Sequence, residues 1–309
     1  MNIKLLILLL LVTSCKSNPK EIASQTFAEA RKGFVTKIVK NLSAKSDVDK
    51  PPASLFNLVQ YPSALGNMAA YISVIPKDGR LHPAMIWIIG GFGNDIGETV
   101  WTPQEADNDQ SAAAIWKSGI VTMYPALRGG NTNPGTDETC FGEIDDIVAA
   151  AKYLAKQPGV DPKRIYIGGH STGGTKVLLV AEYTNMFRAA FCFGAVSRVA
   201  DYGDEYLAYD TKNTQESLLR SPISWLGSLT KPTFLFEGES GNLQSLLELK
   251  DSAAAEKVAL AHFYEVKKAT HFSILQPVCK IIAEKIIADS SGETSKIEFD
   301  EKTLNSLLP

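Results

Sequence analysis

The segment Gly169-His170-Ser171-Thr172-Gly173 restricts what this 309-residue chain can become more than any other. It has the form Gly-x-Ser-x-Gly, and its setting gives it weight. Arg164-Ile165-Tyr166-Ile167 directly before it is a strand-like run, and Gly174 to Ala181 directly after it reads as a helix. A serine on so sharp a strand-to-helix turn is pushed outward at the carboxyl edge of a sheet, and its neighbours must be small because a Cβ would strike adjacent backbone. Thr172 then opens a helix whose unpaired N–H groups can hold an oxyanion. The competing reading is a glycine-rich structural turn, and the surrounding sequence has to decide between the two.

Around this turn, apolar runs alternate with helix-like stretches. Strands are expected at Ser54 to Gln60, Ala69 to Ile75, Ala84 to Ile89, Ile120 to Tyr124, Arg164 to Ile167, Ala189 to Phe193, Thr233 to Phe236 and His262 to Val266, with a turn-like segment over Pro62 to Asn67. Gly142 to Gln157 carries an apolar stripe through Ile144, Ile147, Val148, Ala151 and Leu154, and Ser273 to Ala288 is a second periodic segment. This alternation specifies an α/β fold in which a mostly parallel sheet of about eight strands is covered by helices on both faces.

A serine hydroxyl is a poor nucleophile until a base takes its proton. The chain has four histidines, His82, His170, His262 and His271. His271 follows the last strand-like run and precedes the last long helix, which is where a base belongs in the chain order serine, acid, histidine. His170 neighbours Ser171, but adjacent residues on a tight turn point apart, so it reads as a packing residue. A second oxyanion N–H is expected from Gly90-Gly91-Phe92-Gly93-Asn94, directly after Trp87-Ile88-Ile89. Gly91, or failing it Phe92, is the expected donor. A phosphate-cradling loop would need a Lys-Ser/Thr opening the following helix, and none is present.

Composition narrows the partners. With 45% hydrophobic and 21% charged residues the chain can bury a large core, and a net charge of -3 without a basic run argues against nucleic acid. An anionic or neutral small substrate remains open, and neither cofactor nor metal is expected. Residues 1–15 read as a lipoprotein signal: Met1 to Lys4 is a basic start, Leu5 to Val12 an apolar run too short to span a bilayer, and Val12-Thr13-Ser14-Cys15 a lipobox-like end. Cys15 is the expected lipidation site, which would hold the protein on a membrane on the exported side. Residues 16–53 read as tether and lead-in, with an amphipathic helix at Thr26 to Val39 before the Pro51-Pro52 break. Residues 54–289 form the catalytic domain and 290–309 a polar tail. Cys140, Cys192 and Cys279 are too irregularly spaced for a disulfide framework or zinc site, though one bridge among them is left open.

Four further stretches carry a family resemblance. Tyr124-Pro125-Ala126-Leu127-Arg128-Gly129-Gly130, Gly142-Glu143-Ile144-Asp145-Asp146, Val160-Asp161-Pro162-Lys163-Arg164-Ile165 and Gly168 to Gly174 stand in the order and approximate spacing of the prolyl oligopeptidase-like (S9) hydrolases. Ser221-Pro222 and Lys231-Pro232-Thr233 add to it. From about Tyr61 to Ala288 the chain resembles their catalytic domain, which implies the α/β-hydrolase fold, a small helical insertion after strand six, and hydrolysis through an acyl-enzyme on Ser171 with His271 as base. Two departures stand out. The family's triad Asp falls three residues after the glycine ending strand seven, and counting from Gly238 gives Gly241. A substitute carboxylate is therefore expected at Glu237, Glu239 or Asp201; an ion pair to an arginine is the competing explanation for Glu237. The prolyl oligopeptidases proper also place a β-propeller before this domain, and residues 16–60 are too few to supply one. The resemblance implies hydrolysis of a small ester or a short peptide, without choosing between them. The missing Asp leaves a second reading, a non-catalytic binding lipoprotein on a hydrolase fold. Tyr202, Tyr206, Tyr209 and Trp225 in the insertion either shape the substrate pocket or pack its roof.

Overall fold

The computed structural model describes residues 25–289 and 292–308. The signal-like segment and Cys15 lie outside the described residues. Eight strands make one sheet: β1 (Phe56–Ser63), β2 (Gly66–Ser73), β3 (His82–Ile88), β4 (Val121–Pro125), β5 (Val160–His170), β6 (Ala190–Phe193), β7 (Thr233–Ser240) and β8 (Ala261–Thr270). Their spatial order is β1-β2-β4-β3-β5-β6-β7-β8, with β3 to β8 parallel and β1 and β2 antiparallel. The central strands are buried on both faces, which is why they read as unbroken apolar runs in the sequence.

The helices are α1 (Phe27–Arg31), α2 (Ala113–Lys117), α3 (Glu143–Leu154), α4 (Thr172–Tyr183), α5 (Thr214–Leu218), α6 (Leu243–Glu256), α7 (Leu275–Ala288) and α8 (Glu301–Asn305). One face of the sheet packs on Ile144, Ile147 and Leu154 of α3 and Val177 to Val180 of α4. The other packs on Ile115 of α2 and Val278, Ile282 and Ile286 of α7. The faces of α3 and α7 are the stripes that the 3.6-residue period marked out, and the result is the α/β-hydrolase arrangement, with the helical insertion between β6 and β7.

Locally the structure departs from the sequence expectations or fills them in. The amphipathic helix expected over Thr26 to Val39 is only the five residues of α1, started by a Thr26–Glu29 capping box. Gly33, at φ +77°, turns the chain out of the helix, and Ile38 instead bridges Tyr209 of the insertion. The described part of the lead-in is docked rather than loose: the Phe27 ring stacks on Trp225 at 5.2 Å, and Arg31 grips Asp145 at 3.0 Å and the Phe141 carbonyl at 2.8 Å. The turn expected over Pro62 to Asn67 is confined to Ala64-Leu65, because β1 is an edge strand and tolerates Pro62 without its N–H. The tail is also packed: Phe299 sits on Phe191, Phe234, Phe236 and Tyr264 at centroid distances of 5.0 to 6.3 Å. Cys140, Cys192 and Cys279 are buried free thiols, so no bridge forms among them.

Candidate active site

Ser171 sits between the end of β5 and the start of α4 with φ 56° and ψ −121°, a conformation that costs a non-glycine residue about 1–3 kcal/mol. Three strands hold it there. Its N–H donates to the Phe193 carbonyl at 2.8 Å on β6, and a Cβ at Gly173 would overlap the Ile88 carbonyl at the end of β3. The expected requirement for small flanking residues is thus a backbone contact between neighbouring elements.

His271 lies just past β8, before α7, and its ring covers Gly194, the residue after Phe193. A Cβ at Gly194 would overlap the His271 ring. Ser171 and His271 therefore converge on one peptide, Phe193-Gly194, from two sides. The described residues contain no hydrogen bond from Ser171 Oγ to His271; such bonds tighten as the Michaelis complex forms.

The carboxylate on His271 is that of Glu237. Its Oε2 accepts from His271 Nδ1 at 3.1 Å and from the Asn242 N–H at 2.9 Å, and its Oε1 accepts from the Gly238 N–H at 2.7 Å. Glu237 is 1% exposed, so the low dielectric strengthens these bonds, and no arginine among the described residues pairs with it. Holding the proton on Nδ1 leaves Nε2 as the basic atom. Gly241 explains how a longer side chain reaches the imidazole. A Cβ there would overlap Glu237 Oε1, so the missing side chain vacates the space that this carboxylate fills. Glu239 is turned away, accepting from the Lys268 N–H at 2.8 Å at the surface, and Asp201 is exposed; the structure brings neither to His271.

His170 is fully buried against His271, with ring centroids 4.5 Å apart. Its Nε2 donates to the His271 carbonyl at 3.0 Å, which fixes the tautomer because a carbonyl only accepts. Burial, together with the neighbouring His271, pushes the His170 imidazole down to about 3, so it stays neutral while supporting the base. His82 pairs with Asp78, and His262 stacks on Phe234, both away from this rim.

Gly91, with φ +108°, accepts the Thr172 hydroxyl at its carbonyl, which ties the loop after β3 to the first turn of α4. The Gly91 and Phe92 N–H groups donate to no described residue. Thr172 N–H, as the first of a helix, is unpaired by geometry. Beside them opens a small, narrow pocket. Tyr202 lines it, held by a 2.7 Å bond between its hydroxyl and Thr175, and the Phe92 and Tyr206 rings stack at 3.8 Å over its mouth, 42% and 40% exposed. Tyr209 and Trp225 are packing residues instead, against Arg220 and Phe27. Two charged lining residues were missed from sequence, Asp137 and Lys176. Lys176 had a signal, standing four residues after Thr172 on the same helix face. Asp137 had none. Arg128 and Asp146 of the family-like stretches form a buried bidentate pair, at 2.9 Å on each arm, that shapes the loop carrying Asp137.

Comparison with known proteins bears on the fold and the family. Residues 108–240 match the model of the prolyl oligopeptidase family. A 109-residue segment is 29% identical to an uncharacterized peptidase, YuxL, of Bacillus subtilis, covering 31% of this chain and 17% of that protein. Among solved structures, the acylaminoacyl peptidase of Pyrococcus horikoshii superposes with a TM-score of 0.61 at 16% identity, over 82% of this chain and 44% of that one. An esterase of Pyrococcus furiosus gives 0.59 at 14% identity, over 82% of this chain and 97% of that one. At such identities the two structures speak for the fold alone, and this chain spans less than half of the peptidases it matches.

Proposed function

We propose that this chain, whose residues 108–240 match the prolyl oligopeptidase family, is a serine hydrolase. Ser171 Oγ attacks the carbonyl carbon of an ester or of a peptide or amide bond while His271 Nε2 takes its proton. Glu237 keeps the imidazole in the required tautomer and stabilises the imidazolium. The Thr172 N–H and that of Gly91, with Phe92 as the alternative donor, receive the oxyanion. His271 returns the proton to the leaving group, and water then attacks the acyl-enzyme with His271 again as base.

The single observation that carries this reading is the Glu237 to His271 Nδ1 bond at 3.1 Å, in a fold that sets the ring beside the Ser171 turn. It also weighs against the non-catalytic reading, which rested on the absent Asp. Esterases and peptidases alike share this fold, so the reading covers both leaving groups. A fluorophosphonate probe is expected to label wild-type protein on Ser171 and to leave Ser171→Ala unlabelled. An unlabelled wild type would return the protein to the binding class. Export as a lipoprotein is proposed from residues 1–15 alone. Palmitate labelling of the expressed chain, lost in Cys15→Ala, is the outcome expected.

A further inference from the structure

The pocket beside Thr172 and Gly91 carries two charged side chains in its lining. Asp137 and Lys176 are both at least nine-tenths buried, and both line it. Asp137 Oδ1 accepts from the Thr139 N–H at 2.7 Å, while its Oδ2 accepts from no described residue. Lys176 Nζ donates to Asn94 Oδ1 at 3.0 Å, which leaves two of its three N–H bonds without an acceptor among the described residues. No ion pair joins the two groups. Glu143, the other nearby acid, is already satisfied by Asn94 Nδ2 at 3.1 Å and by the N–H groups of Glu138 at 2.7 Å and Phe141 at 3.0 Å.

We propose that Asp137 and Lys176 are specificity-determining residues, selecting a substrate whose acyl side chain ends in an uncharged group that both donates and accepts hydrogen bonds, of which a primary carboxamide is the simplest. This rests on the reading of Ser171 as nucleophile, and it deepens that reading. The selection follows by elimination. An apolar guest displaces water from Asp137 and Lys176 and leaves both without partners, which is costly in a buried site. A cationic guest meets the Lys176 ammonium, and an anionic guest meets the Asp137 and Glu143 carboxylates. A carboxamide oxygen accepts from Lys176 while its N–H donates to Asp137, so both receive a partner and no charge is added. Burial, reinforced by Glu143, already lifts the Asp137 carboxyl above its ordinary range, so that position resists any further negative charge.

The test is a substrate series on the purified chain. It comprises p-nitrophenyl esters whose acyl chains end in a primary carboxamide, the isosteric isopropyl group, an ammonium or a carboxylate, with the acetate ester as reference. The carboxamide ester is expected to exceed the isopropyl ester in kcat/KM by at least about tenfold, since a site built for hydrogen bonds rejects an analogue lacking them. Lys176→Met is expected to bring that ratio to about one or below; should the variant not fold, the wild-type profile still decides. A lead for the isopropyl, ammonium or carboxylate ester would overturn the proposal. If the acetate ester is hydrolysed and Ser171 takes a fluorophosphonate label while the carboxamide gains nothing, only the pocket assignment fails. If neither happens, the hydrolase reading itself fails with it.

Discussion

Glu237 and Gly241 are best understood as one unit at the residue scale. The carboxylate arrives from four positions earlier in the chain than in the family pattern, and it fits because position 241 carries no side chain. Removing its charge should leave binding largely intact and slow the chemical step, so Glu237→Gln is expected to lower kcat on a p-nitrophenyl ester by about 10²–10⁴ with a small change in KM. The shared space makes a sharper prediction. Glu237→Ala should be rescued at least about tenfold by adding Gly241→Asp, which returns a carboxylate from the position the family uses. Steady-state kinetics on the four proteins would show it. A double variant no faster than Glu237→Ala would mean that the two positions do not substitute for each other.

Among the elements, α4 combines a functional first turn with a buried acid further along. Glu182 lies in its last turn, buried, and neither of its carboxyl oxygens is bonded to a described residue. Burial, with the charge of Glu256, pushes its carboxyl well above the ordinary 4.5, so the folded chain holds a proton there that the unfolded chain releases. A raised carboxyl favours folding fully only below about 4.5, and that contribution is lost as pH rises. Glu182→Gln is therefore expected to stabilise the protein at pH 8 by on the order of 1–3 kcal/mol, the gain shrinking as pH falls toward 4.5. Urea denaturation at the two ends of that range measures it. An equal gain at both would point to packing rather than ionisation.

For the whole molecule, the segments outside the catalytic core matter as covers. Phe299 caps the aromatic ladder of β6, β7 and β8, and Arg188 fastens the tail's base to Asp289 at 2.7 Å. Phe299→Ala should destabilise the fold by about 2 kcal/mol, seen as a lower thermal midpoint with unchanged fluorophosphonate labelling at room temperature. Loss of labelling would show that the tail also sets the site. The local sequence determined much of this protein: the strand–Ser171–helix turn, the alternation that makes the sheet, and the place of His271 follow from periodicity and glycine placement, which depend on neighbouring residues. Those signals could not say which of Glu237, Glu239 and Asp201 meets the imidazole, because that depends on empty space at Gly241 and on the register of β7 against β8. Nor could they reveal the pocket of Asp137 and Lys176, the docking of Phe27, or the burial of Phe299. Each is a contact between segments far apart in the chain, and only the closed fold decides which distant side chains share a volume.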